Sequence, residues 1–478
     1  MKLLLIQPPQ YYHGKSRKPN FFPIGIGYIA GALAGAGVDF EVLDIYANQY
    51  SNEEVAEKIK SVNFDIVGIS AMSTQYSYVR WLTSILRRVN KNAEIILGGA
   101  LASFSYETVL RNTETDICVI GEGEKTVVEL IQNLGAPEKV NGVCFKRGNE
   151  LKATPAREYI KNLDKIAYPG YGSFPMDIYL NNSFVIGYPR KVSAINIISG
   201  RGCPFGCNYC SKVLKGRRLR SIDNVIDELK HLKEKYGING VFFNDELITL
   251  HKDRVYELCD KIAPLGFKWN CQGRVGTVDL KMLKYMKNSG CTAGGYGIES
   301  GSQTILDNMN KGATVKQAEE TLRDTLRAGL EPIVQVMFGY PGETETTIQE
   351  TIDFFNRVGH PGDEFSPVTT LPGTELWNYT LKAGLIKDEK EFLEKLDGGY
   401  MPDAPVLVNY TSFSDTDYDL IRKETEKKIR GNYYKKHPLF FLSKYFLILK
   451  DSVRLYGYKI TLMKIVNKLS HRIGDGGK

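Results

Sequence analysis

The stretch Gly202-Cys203-Pro204-Phe205-Gly206-Cys207-Asn208-Tyr209-Cys210 decides how the rest of the chain is read. Its cysteines follow the spacing C-x3-C-x2-C. Three thiolates on one loop can hold three irons of a [4Fe–4S] cluster and leave the fourth iron open. Structural zinc wants four ligands, and the next Cys or His residues along the chain are distant: His231, His251 and Cys259. Gly202, Pro204 and Gly206 allow the tight wrap that brings three sulfurs together. The competing readings are a zinc-bound interaction module and a chance grouping of buried cysteines. Eight cysteines in 478 residues are too few for a disulfide scaffold, and their crowding here suits a reducing cytosol and a metal site.

Working outward, the loop directly follows an apolar strand, Ala194 to Ser199, which opens a βα rhythm. Further strands are predicted at Gly240 to Asn244, Lys268 to Gln272, Gly294 to Ile298, Ile333 to Phe338 and Glu364 to Val368. Helices lie between them, among them Ile222 to Tyr236, Leu280 to Ser289 and Val315 to Ala328. Six such repeats predict a full or partial parallel barrel. Before the loop, a second βα series runs through Leu3 to Gln7, Val38 to Asp44, Asp65 to Ser70, Glu94 to Leu97 and Ile117 to Ile120. Predicted helices there are Ile26 to Ala36, Glu53 to Val62, Tyr78 to Asn90 and Lys125 to Asn133. Short uninterrupted apolar strands separated by helices mean a doubly wound parallel sheet covered on both faces. Ligands of such sheets sit beyond the carboxyl ends of the strands, where this chain puts Pro8-Pro9, Ser70, Gly98-Gly99 and Gly121 to Glu124. Taken singly these are ordinary turn residues; together they read as a ligand edge. The expected division is residues 1–150, a Pro- and Gly-rich linker 151–192, a barrel 193–398, and an irregular, then helical and basic region 399–478.

At 42% hydrophobic and 24% charged residues this is a folded chain, long enough for about three units. The net charge of +7 is unevenly placed. Ile421 to Lys478 holds 15 Lys and Arg against 4 Asp and Glu, leaving 47 against 51 in the first 420 residues. The body is slightly acidic, so no nucleic-acid partner is expected. No signal peptide is legible, since the first apolar run stops at Pro8-Pro9. Leu439 to Leu449, interrupted by Lys444, falls short of a membrane span. With Lys435-Lys436-His437 before it, that stretch suits either a helix lying on an anionic membrane surface or a cap on the barrel. The expected location is the cytoplasm, with peripheral membrane contact through the tail.

The cysteine loop resembles the signature of radical S-adenosylmethionine (SAM) enzymes. The resemblance continues through Gly216 to Ser221, Phe242 to Glu246, Trp269 to Arg274, Gly297 to Gln303, Lys311-Gly312, Gly339 to Thr344 and Pro372 to Leu376. The N-terminal half resembles the cobalamin-binding domain attached to one large subgroup, through Gln7-Pro8-Pro9, Phe22 to Tyr28, Val67 to Ser70, Leu97 to Gly99 and Ile120 to Glu124. Together the similarity covers about residues 1 to 400. It implies an α/β chain: a Rossmann-like cobalamin domain, then a full or partial (β/α)6 radical SAM barrel and a basic helical C-terminal region. One departure is informative. Cobalamin domains that place a histidine below cobalt carry D-x-H-x-x-G, whereas here Tyr11 and Ser16 flank His13 in place of Asp and Gly. That implies base-off cobalamin without a histidine ligand.

The resemblance also implies a division of labour. Cys203, Cys207 and Cys210 would ligate the cluster. Phe205, Tyr209, Asp245, Glu246, Arg274, Glu299 and Ser300 would surround SAM. Pro8, Ser70, Met72, Ser73, Gly98, Gly99, Gly121, Glu122 and Gly123 would border cobalamin. For Glu299 the residue chemistry agrees, because a carboxylate at the end of an apolar strand is costly without a partner. Cys118, Cys144, Cys271 and Cys291 read as core residues. The implied activity is radical functionalisation of an unactivated carbon, with C-methylation through methylcobalamin as the main reading. Cyclisation or ring rearrangement without methyl transfer, as in anaerobic porphyrin cyclases, is the second. A methylthiotransferase fits poorly, since only Cys118 and Cys144 precede the loop. Expected partners are a small-molecule or lipid substrate and an electron donor such as flavodoxin or ferredoxin.

Overall fold

The structure is a computed structural model and describes residues 2–10, 19–188, 190–363, 365–398 and 405–439. Seven strands form the first sheet: β1 (Leu3–Gln7), β2 (Phe40–Asp44), β3 (Ile66–Ser70), β4 (Glu94–Gly98), β5 (Ile117–Val119), β6 (Val143–Arg147) and β7 (Glu150–Ala153). Their order is β2-β1-β3-β4-β5-β6-β7, parallel through β5 and antiparallel thereafter. Alternate residues of β1 feed opposite faces, Leu3 and Leu5 into one core and Leu4 and Ile6 into another, which is why the strand has no polar side. The helices Ile24–Gly35 and Glu124–Gln132 cover the first face; Asn52–Ser61, Tyr76–Val89 and Ala100–Asn112 cover the second. One expectation is corrected here, and one element is added to those read from the sequence. The β6–β7 hairpin belongs to this sheet, so a boundary at 150 would cut through it. The helix Ala100–Asn112, masked in sequence by its serine, threonine and tyrosine content, is a full covering element.

The second sheet contains β8 (Ala194–Ile197), then β11 (Gly240–Phe243), β12 (Lys268–Gly273), β13 (Cys291–Glu299), β14 (Glu331–Phe338) and β15 (Phe365–Pro367). Between β8 and β11, β9 (Gly200–Arg201) and β10 (Arg218–Leu219) form a short antiparallel ladder under the cysteine loop. The six-stranded order is β15-β14-β13-β12-β11-β8, all parallel, and among the described residues β8 and β15 do not pair. The barrel is therefore partial. Gly202 explains how its first loop turns: its φ is +82°, and a Cβ there would lie 2.2 Å from the Gly216 carbonyl oxygen.

The two sheets are joined by specific contacts. The Asn196 side chain on β8 accepts from the Phe22 N–H (2.7 Å) and donates to the Phe22 carbonyl (2.9 Å). The Phe22 ring packs among Tyr171, Phe174 and Tyr179 of the intervening segment, which holds a short helix, Met176–Asn182. After the barrel the chain returns to the first domain, where Trp377, Phe392 and Leu393 join the second-face core. Barrel assignment up to 398 is thus too long at its end. The helix Asp415–Lys436 then packs on the barrel, its Tyr418 hydroxyl bonding the Phe338 carbonyl and Arg422 the Phe365 carbonyl. That half of the basic region is a cap. Residues 440–478, on which most of the membrane reading rests, lie outside the described residues, as does His13. No helix among the described residues is long and apolar enough to cross a membrane.

Candidate functional site

A cavity of about 630 Å³ opens between the carboxyl ends of both sheets, and Cys203, Cys207 and Cys210 all border it. The cysteine loop is tied down on the far side: Asn208 N–H donates to the Met309 carbonyl, Asn310 to the Gly206 carbonyl, and Leu376 N–H to the Asn208 carbonyl. Cys203 and Cys207 are half-buried and Cys210 is exposed. Among the described residues no group of His, Cys, Asp and Glu side chains is arranged to hold a single metal ion. A cuboidal cluster presents a separate iron to each thiolate, so this donor set fits it.

On the barrel side, Glu299 takes the rare left-handed backbone, φ +66°. Its carboxylate accepts from Lys311 Nζ (2.8 Å) and the Tyr209 hydroxyl (3.0 Å), and Lys311 also reaches that hydroxyl (3.0 Å). Burial and the adjacent Glu299 charge push the Tyr209 phenol well above its ordinary value. Glu299 therefore has the partner that its burial demands, but it is Lys311, whose role the sequence did not show. Arg274 borders the cavity, and its Nη2 is buried without a partner. An orphaned guanidinium nitrogen here fits a carboxylate such as that of SAM. Glu246 also borders the cavity, accepting from the Gly202 N–H at 3.2 Å. Gln272 and Gln335, neither picked out from the sequence, line the wall between them.

Three residues expected around SAM do not reach the cavity. Both Asp245 oxygens are taken by Ser199, from its N–H (2.6 Å) and hydroxyl (2.7 Å), and burial raises the carboxyl to about 6. Asp245 ties β11 to β8 instead. Ser300 is buried against the Thr351 hydroxyl, 3.2 Å away. Phe205 lies under the Arg274 guanidinium.

On the side of the first sheet, Ser70, Gly98, Gly99, Gly121, Glu122 and Gly123 border the cavity, as does Gly25. Gly121, at φ +81°, has no atom within 4 Å of where a Cβ would stand, an open cradle that fits a large ligand. Gly99 differs: its Cβ would strike the Ala71 carbonyl at 2.5 Å, so its glycine serves backbone packing rather than ligand space. Pro8, Met72 and Ser73 are off the cavity, Met72 being half exposed and Ser73 buried. Glu122 is an interdomain residue. It accepts from Arg201 (2.8 Å), Arg218 (2.8 Å) and the Ile160 N–H (2.8 Å), while Arg201 also pairs with Glu124. Burial opposes its charge, yet Arg218, Ile160 N–H and Arg201 outweigh burial and hold the carboxyl below the usual range.

Comparison with known proteins follows the same division. Residues 14–131 match the B12 binding domain and residues 197–355 the radical SAM superfamily. An uncharacterized methyltransferase of Pyrococcus horikoshii is 32% identical over 396 residues, 81% of this chain and 84% of that protein. The anaerobic magnesium-protoporphyrin IX monomethyl ester cyclase of Cereibacter sphaeroides is 29% identical over 73% of this chain, which spans only 59% of the cyclase. A solved structure of the radical SAM methyltransferase TsrM from Kitasatospora setae, with cobalamin and a [4Fe–4S] cluster bound, superposes with a TM-score of 0.64. It covers 80% of this chain and 75% of its own at 18% identity, which shows a shared fold.

Proposed function

Because the chain belongs to the radical SAM enzymes that carry an N-terminal B12-binding domain, we propose that it is a C-methyltransferase acting on an unactivated carbon with a [4Fe–4S] cluster, SAM and base-off cobalamin. When bound, these groups supply radical hydrogen abstraction and methyl transfer. Cys203, Cys207 and Cys210 are the thiolate ligands. The free edge of Arg274 takes a carboxylate, Glu246 offers an acceptor for an ammonium group, and the Glu299–Lys311 pair supplies hydrogen bonds to a ribose or amino-acid moiety. Ser70, Gly98 and Gly121 leave room at the opposite wall for the corrin. Ile24, Ile29, Ile69 and Ile198 make much of the lining apolar, which keeps water from reactive carbon.

One observation carries this reading: the three cysteines and the ligand edge of the first sheet open into the same cavity. Similarity to the cyclase supports a second outcome from the same site, ring closure without methyl transfer. The test is anaerobic incubation of the loaded enzyme with SAM carrying a deuterated methyl group and an extract of cells lacking the protein, with Cys207→Ala as control. A new product bearing the deuterated methyl supports methylation. A new product without deuterium supports cyclisation, and absence of 5′-deoxyadenosine overturns both.

The electron donor is proposed to be of the flavodoxin or ferredoxin class. A lipid substrate and peripheral membrane contact rest on the basic tail, whose described end leaves Leu439 80% exposed. Flotation with anionic liposomes tests this against a chain ending at Leu439, which keeps the barrel cap whole; equal flotation of both chains would return the substrate to a soluble molecule.

A further inference from the structure

Arg274 stands directly after β12 and is 9% exposed. Its backbone is fixed from both sides, the N–H donating to the Thr249 hydroxyl (3.3 Å) and the carbonyl accepting from the Thr277 hydroxyl (2.7 Å). Its Nη1 donates to Cys207 Sγ at 3.7 Å. Its guanidinium carbon sits 3.7 Å from the centroid of the Phe205 ring, between Cys203 and Cys207 in sequence. Its Nη2 is the buried, unpartnered nitrogen described above. No carboxylate forms an ion pair with Arg274 among the described residues. A buried cation without a carboxylate is costly, and the anion that the fold offers it is the Cys207 thiolate.

From this we infer that Arg274 is a positioning residue that raises the reduction potential of the cluster through Cys207, while its second edge receives the ligand of the open iron. The inference rests on the reading of the three cysteines as cluster ligands. Reduction adds one electron, delivered by the external donor, and so one negative charge to the cluster. A charge-assisted hydrogen bond to a ligating sulfur stabilises that reduced form more than the oxidised form, which raises the potential. Arginine suits the task better than lysine, because only a planar fork can stack on Phe205, bond sulfur through one nitrogen and keep the other free. The same grip couples the two events: a carboxylate arriving at Nη2 meets a guanidinium already held against the cluster.

The test is an anaerobic redox titration of the reconstituted full chain, followed by electron paramagnetic resonance (EPR), on wild type, Arg274→Gln and Arg274→Lys. Removing the donor should make reduction about tenfold less favourable, a fall of roughly 59 mV for one electron. Arg274→Lys, which keeps the charge and loses the stacked fork, should fall between. Adding SAM should alter the signal of the reduced wild-type cluster and alter it less in both variants. If the wild type shows no SAM-sensitive cluster signal, the underlying cluster reading fails. If it does, but the potential is unchanged in both variants, the role of Arg274 alone is overturned. Folded variants that assemble no cluster at all would also overturn it, by making Arg274 a support of the loop rather than a tuner.

Discussion

Asp44 is a buried carboxyl whose pH behaviour can be worked out from its neighbours. It ends β2, accepts from Ala47 N–H (2.8 Å) and the Tyr179 hydroxyl (2.6 Å), and is raised by burial to about 6 despite those bonds. The folded chain thus holds this proton more tightly than the unfolded chain, whose carboxyl titrates near 3.8. Its stabilising contribution is complete below that value and is lost as pH rises through about 6. Between pH 8 and pH 5.5 this one group is worth about 1 kcal/mol, the first part of the ~3 kcal/mol it contributes once pH is below both values. Thermal melts should show Tm rising on mild acidification, and Asp44→Asn, which cannot titrate and keeps an acceptor oxygen for the Ala47 N–H while turning an amide N–H towards the Tyr179 oxygen, should flatten that slope. An unchanged slope in the variant would assign the pH dependence elsewhere, for example to Glu343, which burial raises to about 7. At this scale the sequence was a partial guide. Cysteine spacing is a local property, so Cys203, Cys207 and Cys210 were legible. Which carboxylates face the cavity depends on where strands end, and Asp245 and Glu246, adjacent in sequence, point to different partners. Lys311 was quoted for its resemblance only, because nothing local ties it to Glu299 twelve residues earlier.

Among the elements, the ladder of β9 and β10 does more than its length suggests. It closes the base of the cysteine loop, and the loop can turn there only because Gly202 lacks a side chain. Gly202→Ala would set a Cβ 2.2 Å from a carbonyl oxygen at a positive φ, so backbone must move. The expected result is a folded protein with native helix content by circular dichroism but less than half the wild-type iron and sulfide after reconstitution. Normal iron loading would show that the loop tolerates the shift. Strands and helices with strong periodicity were read to within a few residues, and Ile222–Tyr236 was read to its ends, where Ser221 caps it and Gly237 closes it in the left-handed region. The β6–β7 hairpin was not read, since Val143–Arg147 mixes apolar and basic residues and β7, at the sheet edge, is largely exposed. The return of Trp377 and Phe392 to the first domain could not be read either, because apolar helix faces do not say which core they join.

At the scale of the molecule, the site exists only because the carboxyl ends of two sheets are held facing one cavity, and buried charge contributes to that holding. Glu122 from the first domain meets Arg201 and Arg218 from the second, with side chains 3%, 10% and 13% exposed. Removing one partner of such a buried group costs about 3–5 kcal/mol. Glu122→Ala should lower the urea midpoint accordingly and weaken corrinoid retention, while Glu124→Ala, which leaves Arg201 paired to Glu122, should cost less. Equal small effects would mean that the domains are held by the Phe22 cluster instead. The order of domains was legible from two βα series on either side of one cysteine loop; their docking was not, since Glu122 reads as a turn residue until the arginines are seen opposite. The claim that most needs testing is that one cavity serves both cofactors. The direct measurement is EPR of the anaerobic full chain holding reduced cluster and Co(II) cobalamin together. Both sets of proposed ligands border a single cavity of about 630 Å³, so each signal should be broadened by dipolar coupling to the other. A spectrum equal to the sum of the two centres measured separately would contradict the account.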